Sequence, residues 1–265
     1  MTADSFFRGK TALITGASSG IGRATALALG RAGARVAILA RRADKLEALR
    51  DELGPQVPTL PLVVDVTEAD ACRDAVARVA ETWGGLDLLI NNAGISMNAR
   101  FDDADLGVFH QMMDVNYFGS LYMARFAQPW LARSRGHVIF VTSVVGKRGF
   151  PTRSGYSAAK FAVHGLFETL RVEWADTGIH VGLVAPGYVD TNIREKALGE
   201  AGTPRQKKGF TRGHVMTADE CAQEILTTAR RRQRERVLSA GGRFMVALNH
   251  LLPGVADRIA KHATA

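Results

Sequence analysis

Cysteine is scarce in this sequence, and so are the features that mark secreted, metal-binding or membrane proteins. Only Cys72 and Cys221 occur among 265 residues, far apart and outside any paired motif with metal-ligand spacing. We therefore expect no disulfide framework and no metal site, but two reduced, buried thiols. Residues 1–10 contain no signal-peptide core, and no apolar run approaches the roughly 18 residues of a membrane span. The sequence predicts a cytoplasmic protein for which membrane contact is not expected.

Acidic residues are also fewer than basic ones. The chain has 34 Lys and Arg and 26 Asp and Glu, which gives a net charge of +8. Such a balance raises nucleic acid or an anionic surface as a partner. The basic residues are scattered, however. Their densest group, at 230–236, ends a helical segment, where arginines complement the helix dipole. Nucleic-acid binding is therefore not expected.

Short, continuous apolar runs alternate with helical patterns along most of the chain. This alternation is typical of a parallel sheet covered on both faces. We predict an α/β fold, a single doubly wound domain of Rossmann type with about seven mostly parallel strands and helices on both faces. The predicted strands are 11–15, 35–40, 60–64, 86–90, 137–142 and 179–185. The predicted helices are 21–32, 44–53, 68–83, 106–132 and 156–175.

Two regions depart from this alternation. Residues 188–215 are polar, basic and rich in glycine, which is typical of an insertion. Residues 239–265 carry apolar residues and a last helical piece. We therefore assign 1–238 to the nucleotide-binding and catalytic domain, including the insertion. The segment 239–265 is predicted to be a C-terminal extension, packed on the domain or at a subunit contact.

A glycine-rich turn at 15–22 joins the first strand to the first helix. Glycines there let the backbone approach a pyrophosphate, which then sits on the helix N-terminus. The spacing is GxxxGxG rather than GxGxxG, and such a turn could be a structural connection. Its place after the first strand of a doubly wound sheet favours nucleotide binding. The candidate contacts are Gly16, Ser18, Ser19, Gly20, Ile21 and Gly22.

Arg41 and Arg42 follow the second strand. A carboxylate there would bind the adenosine ribose and exclude a 2′-phosphate. Guanidinium groups instead suit a phosphate, by charge and by bidentate hydrogen bonding, and Ser18 could add a hydroxyl. Asp44 is interpreted as the N-cap of the next helix. The sequence therefore favours NADP(H) over NAD(H).

Polar and small residues also follow the third and fourth strands. Asp65 and Val66 are placed to reach the adenine, although Asp65 could instead cap the next helix. Asn92, Ala93 and Gly94 could line the cofactor crevice at the carboxyl edge of the sheet, or form only a turn.

Tyr156 and Lys160 lie four residues apart in a predicted helix and project from one face. A fixed positive charge beside a phenol favours the phenolate and lowers the tyrosine pKa. A lowered pKa would let the tyrosine exchange a proton with an alcohol or carbonyl near neutral pH. Taken alone, such a pair is more often a solvated surface contact than an active site.

These motifs, together with Ser143 and the segment 186–191, occur in the order and spacing of the short-chain dehydrogenase/reductase family. The chain resembles that family from about residue 9 to 238. The resemblance implies a nicotinamide cofactor and hydride transfer between it and an alcohol or carbonyl.

The resemblance also implies roles for individual residues. Tyr156 would be the general acid/base, and Lys160 would lower its pKa and hold the nicotinamide ribose. Ser143 would bind the substrate oxygen, and Asn116 would support a water-mediated proton relay. The segment expected to meet the nicotinamide contains Pro186, Gly187, Val189 and Thr191.

Two departures narrow the resemblance within the family. Many members end in a strand with the pattern TGxxLxVDGG, used in a tetramer contact, and residues 236–243 lack it. Acyl-carrier-protein reductases place a docking arginine where this chain has Val172. With Arg41 and Arg42, these features resemble the NADP-preferring, hydroxysteroid-dehydrogenase-like branch, which implies a lipophilic carbonyl or alcohol substrate.

The alternatives are a 3-oxoacyl-type reductase and a non-catalytic nucleotide-sensing protein on the same fold. The family further implies a homodimer through the helices at 106–132 and 155–175, with a tetramer as the alternative.

Overall fold

Seven parallel strands form one sheet in the order β3-β2-β1-β4-β5-β6-β7. The structure is a computed structural model and describes residues 6–204 and 215–263. The strands are β1 (Thr11–Thr15), β2 (Arg35–Ala40), β3 (Thr59–Val63), β4 (Leu88–Asn91), β5 (His137–Val141), β6 (His180–Ala185) and β7 (Glu235–Val237). β2 and β3 lie on one side of β1, and β4 to β7 lie on the other. The strand order therefore reverses between β1 and β4, which is the switch point of a doubly wound fold. The predicted fold class is confirmed.

Nine α-helices are present in the described residues. They are α1 (Gly20–Arg31), α2 (Ala43–Leu53), α3 (Ala69–Trp83), α4 (Leu106–Met113), α5 (Gly119–Ser134), α6 (Ser154–Glu173), α7 (Ala218–Arg230), α8 (Ala240–Leu251) and α9 (Pro253–Ala263). None of these helices is long and apolar enough to cross a bilayer.

Alternate residues of each strand face two separate cores. Ile14 and Ile38 pack with α1, α2 and α7 on one side. Leu13 and Leu39 pack with α3, α5 and α6 on the other. Because both faces are covered, the central strands β1, β2, β4, β5 and β6 are mostly apolar. Cys72 and Cys221 are buried free thiols, one in each core, as expected.

The predicted helix 106–132 is not continuous. Its middle, Asp114–Phe118, is a π-helical turn between α4 and α5. Such turns interrupt regular helices and occur frequently at functional sites. The capping role predicted for Asp44 is wrong, because α2 begins at Ala43 with Arg42 at its N-cap. Asp44 lies in the first turn, where its charge still complements the helix dipole.

The predicted insertion lies only partly within the described residues, since 205–214 fall outside them. Its first part runs beside the loop that follows β4, with a bridge between Met97 and Leu198. The last two helices contact the loop that follows β5. There the Arg148 guanidinium lies 2.5 Å from the Asp257 carboxylate, and a Cβ on Gly242 would lie 2.6 Å from Val144.

Candidate active site at the carboxyl edge of the sheet

The glycine turn and the segment after β4 form one hydrogen-bonded unit. The Thr15 hydroxyl accepts hydrogen bonds from the backbone amides of Asn92 and Ala93, both at 2.9 Å. The Asn92 side chain donates to the Thr15 carbonyl at 2.9 Å. Thr15 therefore holds together two segments that the sequence placed separately at the cofactor, a role that its strand position did not reveal.

Close packing explains the glycines of the turn. Gly16 has a φ of 68° and Gly20 a φ of 54°, in the left-handed region that favours glycine. A Cβ on Gly22 would lie 2.4 Å from the Gly16 carbonyl oxygen and 2.5 Å from Asn92 Nδ2. The turn therefore keeps bare backbone at the start of α1.

The start of α1 suits a phosphate group. Ile21 lies in the first turn of the helix, and Ser19 occupies its N-cap. The Ser19 hydroxyl accepts from Arg42 Nη2 at 3.4 Å, and the Ser18 hydroxyl accepts from the same atom at 2.9 Å. Free helix amides, two hydroxyls and a guanidinium are the donor set that a phosphorylated nucleotide requires.

Arg41 and Asp65 lie together at the ends of β2 and β3. Arg41 Nη1 is 3.5 Å from Asp65 Oδ2, and Arg41 is largely exposed. The other Asp65 oxygen accepts from the Thr67 amide at 3.1 Å, so Asp65 orders the turn before α3 rather than capping that helix. Val66 is buried against Gly119. A cavity of about 310 Å³ opens here, with Arg41 in its lining.

Asn116 and Lys160 meet at Gly94. A Cβ on Gly94 would lie 2.7 Å from Asn116 Oδ1 and 3.4 Å from Lys160 Nζ. The π-helical turn directs the Asn116 amide toward the loop, where it donates to the Ile95 carbonyl at 3.1 Å. Lys160 Nζ donates to the Val141 carbonyl at 3.1 Å, and burial lowers its pKa to about 8. Both side chains are thus fixed by backbone carbonyls next to the crevice.

Ser143 and Tyr156 also converge there. Ser143 is the N-cap of a 3₁₀ turn, Val144–Gly146, that follows β5, and its hydroxyl lies near enough to Tyr156 to act on the pKa of the phenol. The expectation of a lowered tyrosine pKa is not met in this structure. Burial raises the Tyr156 pKa, while the Ser143 hydroxyl and the charge of Arg153 oppose the rise. Lys160 Nζ lies 5.8 Å from the Tyr156 ring centroid and is bonded elsewhere.

The segment after β6 passes over both halves of the site. The Pro186 carbonyl accepts from the Val144 amide at 3.0 Å. A Cβ on Gly187 would lie 2.5 Å from Ser239 Oγ, and one on Gly20 would lie 2.9 Å from the Thr191 methyl. Val189 is buried and bridges to Met216. The segment therefore links the glycine turn to the loop that carries Ser143.

Arg153 was not among the predicted site residues. It is the N-cap of α6, three residues before Tyr156, and its guanidinium donates to Ser96 Oγ at 3.0 Å. Its distance of three residues from Tyr156 was a usable signal, because helical residues three apart share a face.

The fold and these contacts define a Rossmann-type protein with a nucleotide crevice next to a Tyr, Ser, Lys and Asn cluster. Comparison with known proteins agrees with a Rossmann-type fold. The profile of the family described as short chain dehydrogenase matches residues 10–201. The chain belongs to the short-chain dehydrogenase/reductase family and is an oxidoreductase of that family.

Curated relatives match nearly the whole chain. A Drosophila melanogaster protein named dehydrogenase/reductase SDR family protein 7-like is 36% identical over 254 residues, covering 93% of this chain and 78% of the relative. Dehydrogenase/reductase SDR family member 7B of Bos taurus is 33% identical over 263 residues, covering 96% and 81%.

Solved structures share the fold. An alcohol dehydrogenase from Thermococcus sibiricus, complexed with 5-hydroxy-NADP, has a TM-score of 0.77 and 30% identity, covering 87% of this chain and 96% of its own. A short-chain dehydrogenase/reductase from Burkholderia phymatum, in complex with NAD, has a TM-score of 0.84 at 23% identity, covering 94% and 95%.

Proposed function

We propose that this protein is an NADP-dependent oxidoreductase that transfers a hydride between the nicotinamide and a carbonyl or secondary alcohol of a lipophilic substrate. The observation that carries the proposal is the convergence of four side chains: Asn116 and Lys160 meet at Gly94, and Tyr156 lies near both Lys160 and Ser143. Together these residues offer an ionisable hydroxyl, a second hydroxyl near it, a cation and an amide.

In this proposal Tyr156 donates a proton to the substrate oxygen in reduction and accepts it in oxidation. Ser143, which lies near the tyrosine, binds the same oxygen and stabilises charge that develops on it. Lys160 and Asn116, held by the Val141 and Ile95 carbonyls, bind the ribose and move the proton onward. The bound nicotinamide supplies or accepts the hydride.

The preference for NADP(H) rests on Arg42. Its contact with the Ser18 hydroxyl, at 2.9 Å, puts a guanidinium and a hydroxyl where the adenosine ribose of a dinucleotide is expected, at the end of β2. That pair favours a ribose carrying a 2′-phosphate. The two structural neighbours carry different cofactors, 5-hydroxy-NADP in one and NAD in the other, so the preference is inferred from this chain's own residues.

The proposed lipophilic substrate is supported by the apolar side of the site. Tyr156 packs against a cluster in which Met97, Met112 and Leu198 are buried. Such a wall suits a hydrocarbon-bearing carbonyl, as in the hydroxysteroid-dehydrogenase-like branch. A 3-oxoacyl-type reductase is the alternative.

We further propose a cytoplasmic homodimer that pairs through α5 and α6. Apolar side chains on and beside these helices are exposed, among them Phe118, Phe161 and Val172 (73% exposed). Burying them against a second copy would remove apolar surface from water.

Cofactor-dependent protection against heat tests the proposal. We expect NADPH to raise the melting temperature more than NADH at equal concentration. The variant Arg42→Gln should lose most of the NADPH advantage and leave protection by NADH nearly unchanged. Arg41→Gln is the matched control and should lose less, because Arg41 is exposed and contacts Asp65.

Equal protection by both cofactors would contradict the NADP preference. A panel of lipophilic ketones and secondary alcohols tests catalysis separately. If no member oxidises NADPH or reduces NADP, the non-catalytic nucleotide-sensing alternative takes the place of the enzyme.

A further inference from the structure

Arg153 is a cation held at the active site by the loop that follows β4. Its Nη1 donates to Ser96 Oγ at 3.0 Å and also to the Met97 carbonyl. Both acceptor residues are buried, with Ser96 only 5% exposed. Burial makes the guanidinium costly, and it lowers the Arg153 pKa. Burying a charged guanidinium costs free energy, and two buried acceptors hold this one in place. We therefore expect it to have a function other than keeping the protein soluble.

The contacts around Arg153 position the start of α6. On either side of it, the Thr152 carbonyl accepts from the Ala99 amide at 3.2 Å, and the Gly155 amide donates to Met97 Sδ at 3.2 Å. The same loop continues to the segment after β6, because the Leu198 amide donates to the Ser96 carbonyl at 2.8 Å. Arg153 therefore ties together the loop and the helix that carries Tyr156.

The charge of Arg153 reaches the phenol. Arg153 is the N-cap of α6, and Tyr156 follows three residues later, in the first turn of the helix. Among the described residues, the ionisable groups whose charges act on Arg153 are Tyr156, Tyr188 and Arg194. The Arg194 guanidinium stacks at 4.1 Å over the Tyr188 ring.

Lys160 is the other cation near Tyr156, with its Nζ 5.8 Å from the ring centroid. An apolar cluster that includes Met97, Val108 and Met112 packs against the tyrosine. Ser143 is uncharged, and Lys160 donates to a backbone carbonyl. The charge of Arg153 opposes the rise that burial causes in the pKa of the Tyr156 phenol.

We propose that Arg153 is a positioning residue of the active site: anchored by Ser96 and Met97, it fixes the first turn of α6 and stabilises the phenolate of Tyr156. This inference rests on the proposed function, in which Tyr156 exchanges the substrate proton. It gives the site a second cation besides Lys160.

The test is a direct titration of Tyr156. The variants are Arg153→Met, which removes charge and donors, and Arg153→Lys, which keeps the charge. The tyrosinate absorbance of each protein is measured against pH, and the titration of the same protein carrying Tyr156→Phe is subtracted. We expect Arg153→Met to move the titration upward by about one pH unit. The pH profile of alcohol oxidation should move in the same direction, because oxidation requires the phenolate. Arg153→Lys should show little of this upward shift, because it keeps the positive charge.

An unchanged titration in Arg153→Met would overturn the inference, and so would equal shifts in the methionine and lysine variants, which would mean a structural role. If the methionine variant does not fold, Arg153→Gln decides in the same way, because its amide keeps a donor for Ser96. The titration needs no turnover. A shifted titration in a protein that turns over no substrate would therefore refute only the proposed function, and normal turnover with an unchanged titration would refute only the role of Arg153.

Discussion

The two ends of the sheet both bury ionisable side chains but use them differently. At the carboxyl end, Tyr156 and Lys160 stand beside a crevice, with Ser143 and Asn116 contributed by other segments. At the amino end, His137 and His180 are directly opposite in the register of β5 and β6. Their Nδ1 atoms are 3.2 Å apart, and His180 Nε2 lies 3.0 Å from the Gln233 carbonyl.

Burial shifts the pKa values at both ends. It lowers the pKa of Lys160 to about 8, of His137 to about 3 and of His180 to about 4. A shifted pKa therefore does not by itself mark an active site. The difference lies in the partners: the histidines bond each other and a carbonyl, whereas several segments direct polar groups toward one space at the carboxyl end.

The largest effect should come from Tyr156→Phe. Removing the hydroxyl removes the proposed proton donor, and we expect turnover to fall about 10³-fold. Binding of NADPH, followed by fluorescence, should change little, and the free energy of unfolding should stay within about 1 kcal/mol. The matched control is Tyr122→Phe, which removes a phenol on α5 that stacks on Phe118. If turnover survives Tyr156→Phe, the tyrosine at the carboxyl end is not the proton donor, and the proposed difference between the two ends is wrong.

The histidine pair should make the fold sensitive to acid. A carbonyl only accepts, so His180 Nε2 carries a hydrogen and its Nδ1 accepts from His137 Nδ1. A proton on His180 Nδ1 would destroy that bond. Because the folded pKa values lie below the unfolded value of about 6.5, the unfolded state binds protons first as pH falls. Stability from the pair is thus complete above pH 6.5 and is lost below it.

Urea unfolding at pH 7 and pH 5 measures this loss. We expect protonation of the pair to lower the free energy of unfolding by roughly 3 kcal/mol between pH 7 and pH 5. His137→Gln should reduce that difference by about half, whereas His250→Gln, on an exposed helix position, should leave it unchanged. Turnover per folded molecule should not respond to His137→Gln. A loss of turnover there would connect the amino end to catalysis.

The site at the carboxyl end was predictable from the sequence, whereas the histidine pair at the amino end was not. The fold was predictable because apolar runs alternate with helices, and parallel strands bring Gly16, Asn92 and Ser143 to one edge. The pairing of His137 with His180 depends on strand register, which local pattern does not determine. The rise in the Tyr156 pKa depends on burial, and the anchoring of Arg153 depends on the path of a loop, so neither followed from spacing along α6.

The smallest of these effects concerns the packing of the carboxyl end. In Gly22→Ala, the new Cβ would meet the Gly16 carbonyl and Asn92 Nδ2, and backbone atoms at such distances have to move. We expect a loss of about 2 kcal/mol in stability and at least a tenfold weaker affinity for NADPH, because the turn that faces the phosphates is displaced. Gly107→Ala is the control, since a Cβ there meets nothing within 4 Å; its helix should be unchanged or slightly more stable. If the two variants bind NADPH equally well, the close packing of the glycine turn serves the fold rather than the nucleotide. The carboxyl end would then owe its function to the Tyr156 cluster alone.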